Sequence, residues 1–185
     1  DCKGRVIWPD RQMILFARDL LANRPYSKVI FDVKCSSLLE KEILKAGGVP
    51  IMCQTGHSLI KAKMKETGAL LAGEMSGHLF FADRWYGFDD AIYSAARLLE
   101  ILDGYDCPPA EVFEDLPSWV ATPELNIKMS ENLHSSFISR LVGEAHFPGS
   151  KISTIDGLRV DFSDSWGLVR ASNTMPAIIA RFEGE

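Results

Sequence analysis

About the first hundred residues alternate short apolar runs with longer amphipathic segments, and this alternation limits the fold more than any other feature of the sequence. The apolar runs predict strands at 6–8, 29–33, 49–52, 69–72 and 79–82. Apolar residues at helical spacing predict helices over 9–22, 37–46, 58–67 and 88–102. Strands that alternate with helices of about 10–15 residues imply βαβ units and a largely parallel sheet.

The starts of two helices are predicted from polar residues. Ser37, with Glu40 three positions later, has the pattern of a capping box. Asp89 and Asp90 are expected in the first turn of the last helix, where acidic side chains are favourable. That helix is predicted to be strongly amphipathic from its apolar residues Ala91, Ile92, Ala95, Leu98, Leu99 and Leu102.

Polar residues follow three of the predicted strands. They are Lys34, the turn Thr55-Gly56-His57 and the loop at 73–78. The carboxyl ends of parallel neighbouring strands share one edge of a sheet, and open α/β sheets bind ligands at that edge. We therefore expect these residues to lie together. Without that context, Lys34 could equally be a surface lysine and His57 a structural histidine.

The loop at 73–78 reads Gly-Glu-Met-Ser-Gly-His and lies between two apolar runs. The Glu74 carboxylate can accept two hydrogen bonds in one plane, which matches neighbouring hydroxyls on a sugar ring. Ser76 and His78 add a donor or an acceptor from the side. The alternative is an ordinary polar turn with a solvated glutamate, and the residues alone leave both readings open.

The pattern changes after Leu102, where breaks at 103–109 and 116–118 separate a second unit. Strands are predicted at 125–129, 152–155, 158–162, 167–170 and 177–182, with a hairpin turn at Asp156-Gly157. Ser130 is expected to cap one helix that carries Leu133, Phe137 and Leu141. The predicted fold class is therefore α/β: a mixed, largely parallel α/β/α domain over 1–117, followed by a small α+β domain with an antiparallel sheet over 118–185.

A second polar stretch, Arg-Ala-Ser-Asn-Thr at 170–174, follows one of these strands. A guanidinium group, two hydroxyls, an amide and turning backbone N–H groups suit a phosphate dianion. The alternative is a polar connection in which Arg170 is paired with a carboxylate.

The composition disfavours several classes of function. A net charge of −5 argues against a general nucleic-acid-binding protein. No apolar run approaches the roughly 20 residues of a membrane span and no signal peptide is visible, so we expect a cytoplasmic protein with no membrane partner. Irregular spacing predicts reduced thiols, and neither a disulfide framework nor a zinc site, for Cys2, Cys35, Cys53 and Cys107.

Several of these stretches together resemble the C-terminal half of the phosphohexomutase family, in its phosphomannomutase/phosphoglucomutase branch. Residues 73–78 are similar to the sugar-recognition loop of that family, and 170–174 are similar to its phosphate-binding loop. Further similar stretches are Phe-Asp-Val-Lys at 31–34, Gln-Thr-Gly-His at 54–57 and Arg-Trp-Tyr-Gly-Phe-Asp-Asp at 84–90. The methionine at position 75 is similar to the glucose and mannose members of the family, although it does not decide between those two sugars.

The resemblance implies an enzyme of four domains that interconverts hexose 1-phosphates and 6-phosphates. A phosphoserine donates its phosphoryl group, a hexose 1,6-bisphosphate forms, and Mg²⁺ supports the transfer. Residues 1–117 would be the third domain and 118–185 an incomplete C-terminal domain. The phosphoserine and metal loops of the family are absent from this sequence. We therefore expect a monomeric fragment that is inactive without the missing N-terminal domains, with no catalytic or metal-binding residue of its own.

The resemblance also assigns roles to individual residues. Glu74 and Ser76 would bind the ring hydroxyls, and His78 with the backbone of Met75 and Gly77 would complete the loop. Lys34 and His57 would line the cleft without an assigned role as general base. The phosphate group of the hexose phosphate that is not being transferred would be held by Arg170, Ser172, Asn173, Thr174 and the backbone N–H of Ala171. The alternative function is a standalone sugar-phosphate binding module that is never catalytic.

Overall fold

The structure is a computed structural model that describes residues 1, 3–130 and 133–185. The chain divides into two compact units, residues 1–117 and 118–185, which we call unit 1 and unit 2. The predicted thiol Cys2 lies outside the described residues. Within them, no helix is long and apolar enough to cross a membrane.

Unit 1 alternates helices and strands along the chain. Its elements are α1 (Pro9–Asn23), β1 (Lys28–Asp32), α2 (Ser37–Lys45), β2 (Val49–Cys53), α3 (His57–Thr67), β3 (Leu71–Gly73), β4 (Leu79–Phe81), α4 (Ala91–Asp103) and α5 (Pro109–Glu114). The sheet has the order β2-β1-β3-β4. The first three strands are parallel and β4 is antiparallel to β3. This confirms the predicted mixed, largely parallel α/β fold.

Helices cover both faces of this sheet. Successive strand residues point to opposite faces and therefore pack against different helices. Ala72 packs in one apolar cluster with Ile60 and Met64 of α3. The next residue, Gly73, faces α1, where an added Cβ would lie 2.3 Å from the Met13 sulfur. Any other residue at the end of β3, directly before the loop at 73–78, would have to displace the buried Met13 side chain.

Three local predictions for unit 1 are wrong. Residues 6–8 are not a strand, and Val6 and Trp8 stay 68% and 53% exposed, because this short run has no strand partner in the described sheet. The residue that caps α2 is Ser36, whose hydroxyl accepts a hydrogen bond from Leu38 N–H at 3.1 Å. Asp90 is the N-cap of α4 and Asp89 precedes it, so neither lies in the first turn of this helix.

The buried face of α4 also differs from the predicted one. Ile92 and Leu99 are 86% and 68% exposed, whereas Arg97 is buried. The Arg97 guanidinium lies 5.0 Å from the ring centre of Phe81 and forms an ion pair with Asp19 at 2.9 Å. A charged side chain can cover apolar surface with its stem while its head group is paired, and apolar periodicity does not anticipate such packing.

Unit 2 is an antiparallel sheet with one helix, as predicted. Its elements are β5 (Val120–Ala121), β6 (Leu125–Lys128), α6 (His134–Glu144), β7 (Lys151–Ser153), β8 (Leu158–Asp161), β9 (Ser165–Ala171) and β10 (Ala177–Gly184). The strand order is β5-β10-β9-β8-β7, and β6 also pairs with β10. The predicted cap Ser130 does not cap α6, whose N-cap is Leu133. Residues 131 and 132, which lie between these two, are outside the described part of the chain.

Candidate functional site

The parallel strands β1, β2 and β3 end at the same edge of the unit 1 sheet, with β1 between the other two. The segments that follow them touch each other. The backbone N–H of Gly56, after β2, donates a hydrogen bond to Glu74 Oε1 at 2.7 Å, after β3. The rings of His57 and His78 lie 6.0 Å apart, centre to centre. We call residues 73–78 the edge loop.

The edge loop is closed by its own backbone. Glu74 N–H donates to the carbonyl of His78 at 2.9 Å, and Gly77 N–H donates to the carbonyl of Glu74 at 3.0 Å. Gly77 adopts φ = +98°, a conformation that residues with a side chain rarely take. In this hairpin between β3 and β4, Met75 is half-buried and Ser76 is exposed.

The Glu74 side chain is 1% exposed. Its Oε1 atom is bonded to Gly56, whereas its buried Oε2 atom has no hydrogen-bond partner among the described residues. A buried acceptor without a partner is costly, which makes it a candidate for contact with a ligand. Burial raises the pKa of the Glu74 carboxyl, and the hydrogen bond from Gly56 opposes that rise. The reading of Glu74 as a solvated turn residue is therefore wrong.

Asp32 is a member of this cluster that sequence reasoning missed. Its carboxylate is fully buried at the last position of β1. Oδ1 accepts hydrogen bonds from Met75 N–H at 3.0 Å and from the Cys35 thiol at 3.1 Å, and Oδ2 accepts one from the Thr55 hydroxyl at 2.9 Å. The available signal was an acidic residue at the end of an otherwise apolar strand.

Lys34 is also buried, at 7% exposure, with Nζ 4.0 Å from Asp32 Oδ2. The reading of Lys34 as a surface lysine is therefore wrong. The negative charge of the Asp32 carboxylate partly compensates the cost of burying the positive charge of Lys34. The carboxyl edge of unit 1 thus contains the charged side chains of Lys34, Asp32 and Glu74.

His78 is oriented by Asp89, a second residue that sequence reasoning missed. His78 Nδ1 lies 2.5 Å from Asp89 Oδ2, and Leu79 N–H donates to Asp89 Oδ1 at 3.3 Å. A carboxylate at Nδ1 favours the tautomer with a proton on that nitrogen, so Nε2 remains available to an outside group. The His78 side chain is 45% exposed. His57 is the first residue of α3, after the N-cap Gly56.

In unit 2, Arg170 lies near the end of β9 and is only 2% exposed. Its Nη2 atom is 3.0 Å from Asp156 Oδ2, but neither Nε nor Nη2 makes a hydrogen bond of good geometry within the described residues. Gly157 lets the turn approach closely, since an added Cβ would lie 2.6 Å from the Arg170 Cβ. Arg170 is therefore paired with a carboxylate, as the alternative interpretation predicted. This ion pair leaves guanidinium donors without a hydrogen bond within the described residues.

Residues 172–176 connect β9 to β10, and we call them the hairpin loop. Ser172 is buried, and its hydroxyl accepts hydrogen bonds from Met175 N–H at 3.2 Å and Thr174 N–H at 3.4 Å. Its own N–H donates to the carbonyl of Ala177 at 2.9 Å. Asn173 and Thr174 are exposed, and Ala171, the last residue of β9, is half-buried.

The metal chemistry of the resemblance has no counterpart in the described residues. No group of three or more histidine, cysteine, aspartate or glutamate side chains in that part of the chain could hold a metal ion. The carboxylate of Asp32 is occupied by hydrogen-bond donors from its own loops. We therefore assign none of the described residues to Mg²⁺.

The sequence matches two models of one protein family. Residues 8–119 match "Phosphoglucomutase/phosphomannomutase, alpha/beta/alpha domain III", and residues 124–185 match "Phosphoglucomutase/phosphomannomutase, C-terminal domain". The two matches occur in chain order and leave few residues unmatched. The chain belongs to the phosphoglucomutase/phosphomannomutase family.

Individual relatives agree with this membership. The chain is 53% identical over 182 residues to a phosphomannomutase/phosphoglucomutase of Pseudomonas syringae, covering 98% of this chain and 39% of that protein. It is 54% identical over 184 residues to a phosphoglucomutase of Neisseria gonorrhoeae, with 98% and 40% covered. A solved structure of a phosphoglucomutase/phosphomannomutase family protein from Burkholderia thailandensis matches with a TM-score of 0.91 at 49% identity, covering 98% of this chain and 38% of that one. The chain thus spans about 40% of the length of these relatives.

Proposed function

We propose that this chain is the substrate-binding half of a phosphohexomutase that interconverts the 1-phosphate and 6-phosphate of glucose or mannose. The observation that carries the proposal is the Glu74 carboxylate, which is buried, fixed through one oxygen and without a partner on the other among the described residues. A fixed acceptor of this kind is suited to a sugar hydroxyl, because the hydrogen bond that a charged oxygen makes is strong and directional.

The remainder of the edge loop supports the same role. Ser76 and His78 are exposed next to Glu74, and Asp89 fixes the His78 ring. The backbone of Met75 and the tight turn at Gly77 set the spacing between these groups. We propose that Glu74 and Ser76 bind the ring hydroxyls, and that His78 contacts the sugar from the side.

In unit 2 we propose that Arg170 binds the phosphate group that is not being transferred. It is a buried guanidinium with donors that its neighbour Asp156 does not use. Ser172, Asn173, Thr174 and the N–H of Ala171 would add further donors to a dianion. In unit 1, Lys34 and His57 would line the substrate cleft.

The chemistry of the proposed reaction is phosphoryl transfer from a phosphoserine through a hexose 1,6-bisphosphate. Such transfers depend on positioning and on stabilisation of charge. Mg²⁺ would supply charge stabilisation from a site outside this chain, and the phosphoserine would come from N-terminal domains of the same protein. The residues described here would bind the sugar, orient it and hold its second phosphate.

The test is a mutase assay with glucose 1-phosphate and mannose 1-phosphate, made on the 185-residue chain and on the full protein that contains it. We expect turnover by the full protein only. Robust turnover by the isolated chain would contradict the placement of the phosphoserine elsewhere. A full protein that binds glucose 1-phosphate and never turns it over would favour the alternative, a non-catalytic binding module.

A further inference from the structure

We propose that Asp32 is a positioning residue that sets the shape of the edge loop and thereby the affinity for the sugar, without touching the substrate itself. This inference rests on the proposed function, since it assigns the sugar contact to the edge loop. It concerns a residue at the end of β1, the central one of the three parallel strands. The proposed function gives this residue no contact with the ligand.

The first observation is the reach of the Asp32 carboxylate. It accepts hydrogen bonds from the segments after all three parallel strands: the Cys35 thiol after β1, the Thr55 hydroxyl after β2 and the Met75 N–H after β3. Only a side chain on β1 can do this, because β1 lies between β2 and β3. The group is fully buried, so water does not substitute for these three bonds.

The second observation is that the bond to Met75 adjoins the proposed sugar contact. Met75 follows Glu74 directly, so Asp32 fixes the peptide that carries the Glu74 side chain. The Glu74 carboxylate is fixed at its far end by Gly56 N–H. Thr55, which Asp32 also holds, is the neighbour of Gly56 in the chain. Asp32 therefore determines both fixed points of Glu74, through Met75 on one side and Thr55 on the other.

The consequence is a defined direction for Glu74 Oε2, the oxygen left without a partner in the described residues. A hydrogen bond to a charged group contributes about 1.5–3 kcal/mol, so a Glu74 carboxylate held in the wrong direction should bind the sugar about 10-fold to 150-fold more weakly. Loss of Asp32 should therefore reduce sugar binding even though every residue of the edge loop is intact.

The test compares Asp32→Asn and Asp32→Ala in the full protein. Asparagine keeps one acceptor for Met75 N–H and can donate to Thr55, so we expect KM for glucose 1-phosphate to rise about 10-fold with asparagine and about 100-fold with alanine. A residue that only stabilised the fold would lower the amount of active enzyme, and hence apparent kcat, and leave KM unchanged. The control is Asp19→Asn, which weakens the ion pair to buried Arg97 and should leave KM as in the wild type.

Thr55→Val removes one of the three bonds with little change of shape and serves if both Asp32 variants fail to fold. We expect its KM to rise a few-fold to about 10-fold. Unchanged KM in Asp32→Asn, or in Thr55→Val where the former does not fold, would overturn the inference. If the wild-type protein has no mutase activity, the proposed function fails. The Kd for glucose 1-phosphate is then measured in place of KM. Equal Kd values for wild type and variant, or no binding by either, would overturn the inference on Asp32.

Discussion

The edge loop of unit 1 and the hairpin loop of unit 2 are held by different kinds of contact. The edge loop is fixed by buried side chains and backbone groups that come from far along the chain: Asp32 reaches Met75 across 43 residues, and Gly56 reaches Glu74 across 18. The hairpin loop is fixed by its own Ser172, whose hydroxyl bonds Met175 three residues away. One loop is part of a sheet edge, and the other is a local turn beside a buried arginine.

This difference matches the two ligand groups proposed for the loops. Hydroxyls on a sugar ring are distinguished by the direction of each hydrogen bond, so their acceptor has to be fixed. A phosphate dianion accepts from many directions, so a buried guanidinium with an exposed loop beside it is sufficient. The comparison predicts that substitutions in the edge loop affect the reaction more than those in the hairpin loop.

The largest effect is expected for Glu74→Ala. Loss of a hydrogen bond to a charged group costs about 1.5–3 kcal/mol, so kcat/KM of the full protein should fall about 10-fold to 150-fold. Steady-state mutase kinetics in both directions measure this. The matched control is Glu66→Ala, an exposed glutamate of α3 paired with Lys63. An unchanged kcat/KM in Glu74→Ala would remove this residue from the site.

A pH dependence follows from the same side chain. Burial raises the pKa of Glu74 above its usual value of 4.5, Gly56 N–H opposes the rise, Asp32 adds to it, and His78 and Lys34 oppose it. Protonated Glu74 no longer offers a charged acceptor to a sugar hydroxyl, so kcat/KM should fall as pH decreases through the raised pKa, by no more than the loss expected for Glu74→Ala. Glu74→Gln should abolish this acid limb, and an identical pH profile in the variant would assign the limb to another group.

The raised pKa also predicts the direction of a stability change. Between the usual and the raised pKa the folded state binds more protons than the unfolded state, so stability decreases as pH rises through that window. Above it, ionised Glu74 is buried at a cost, and Glu74→Gln should melt at a higher temperature than the wild type while being less active. Thermal melts above the window test this; a lower melting temperature for Glu74→Gln would contradict the burial of an ionised carboxylate.

A smaller effect is expected for Arg170→Lys. Lysine keeps the positive charge and loses the planar pair of donors, so KM should rise about tenfold for both phosphate isomers while kcat changes little. Arg140→Lys, on the exposed face of α6 near Glu144, is the control. Normal affinity for both isomers in Arg170→Lys and in Arg170→Ala would contradict the phosphate role.

The smallest effect is expected for Ser172→Ala. The change removes the acceptor of Met175 and Thr174 N–H groups, each worth about 0.5–1.5 kcal/mol, so KM should rise about 2-fold to 10-fold. Ser136→Ala, at the exposed start of α6, should change nothing. If Ser172→Ala exceeded Glu74→Ala in effect, the contrast between the two loops would be reversed.

Much of the fold could be predicted from the sequence, because the spacing of apolar residues within short segments determines where helices and strands form. Apolar runs and helical spacing located β1 to β4 and α1 to α4 closely, and their alternation indicated the parallel sheet. The exceptions are informative. Residues 6–8 are as apolar as a strand but have no strand partner in the described part of the chain. The buried face of α4 contains Arg97, which a pattern of apolar residues assigns to solvent.

The sequence by itself identified the two polar stretches at 73–78 and 170–174 as candidate ligand-binding loops, because their residue types fix which hydrogen bonds they can make. Only the tertiary structure decided that Asp32, Asp89 and Asp156 belong with them. A carboxylate at a strand end or in a turn looks the same in sequence whether solvent or protein surrounds it. What it bonds depends on which segments the sheet brings beside it, and for Asp32 these lie as far as 43 residues along the chain.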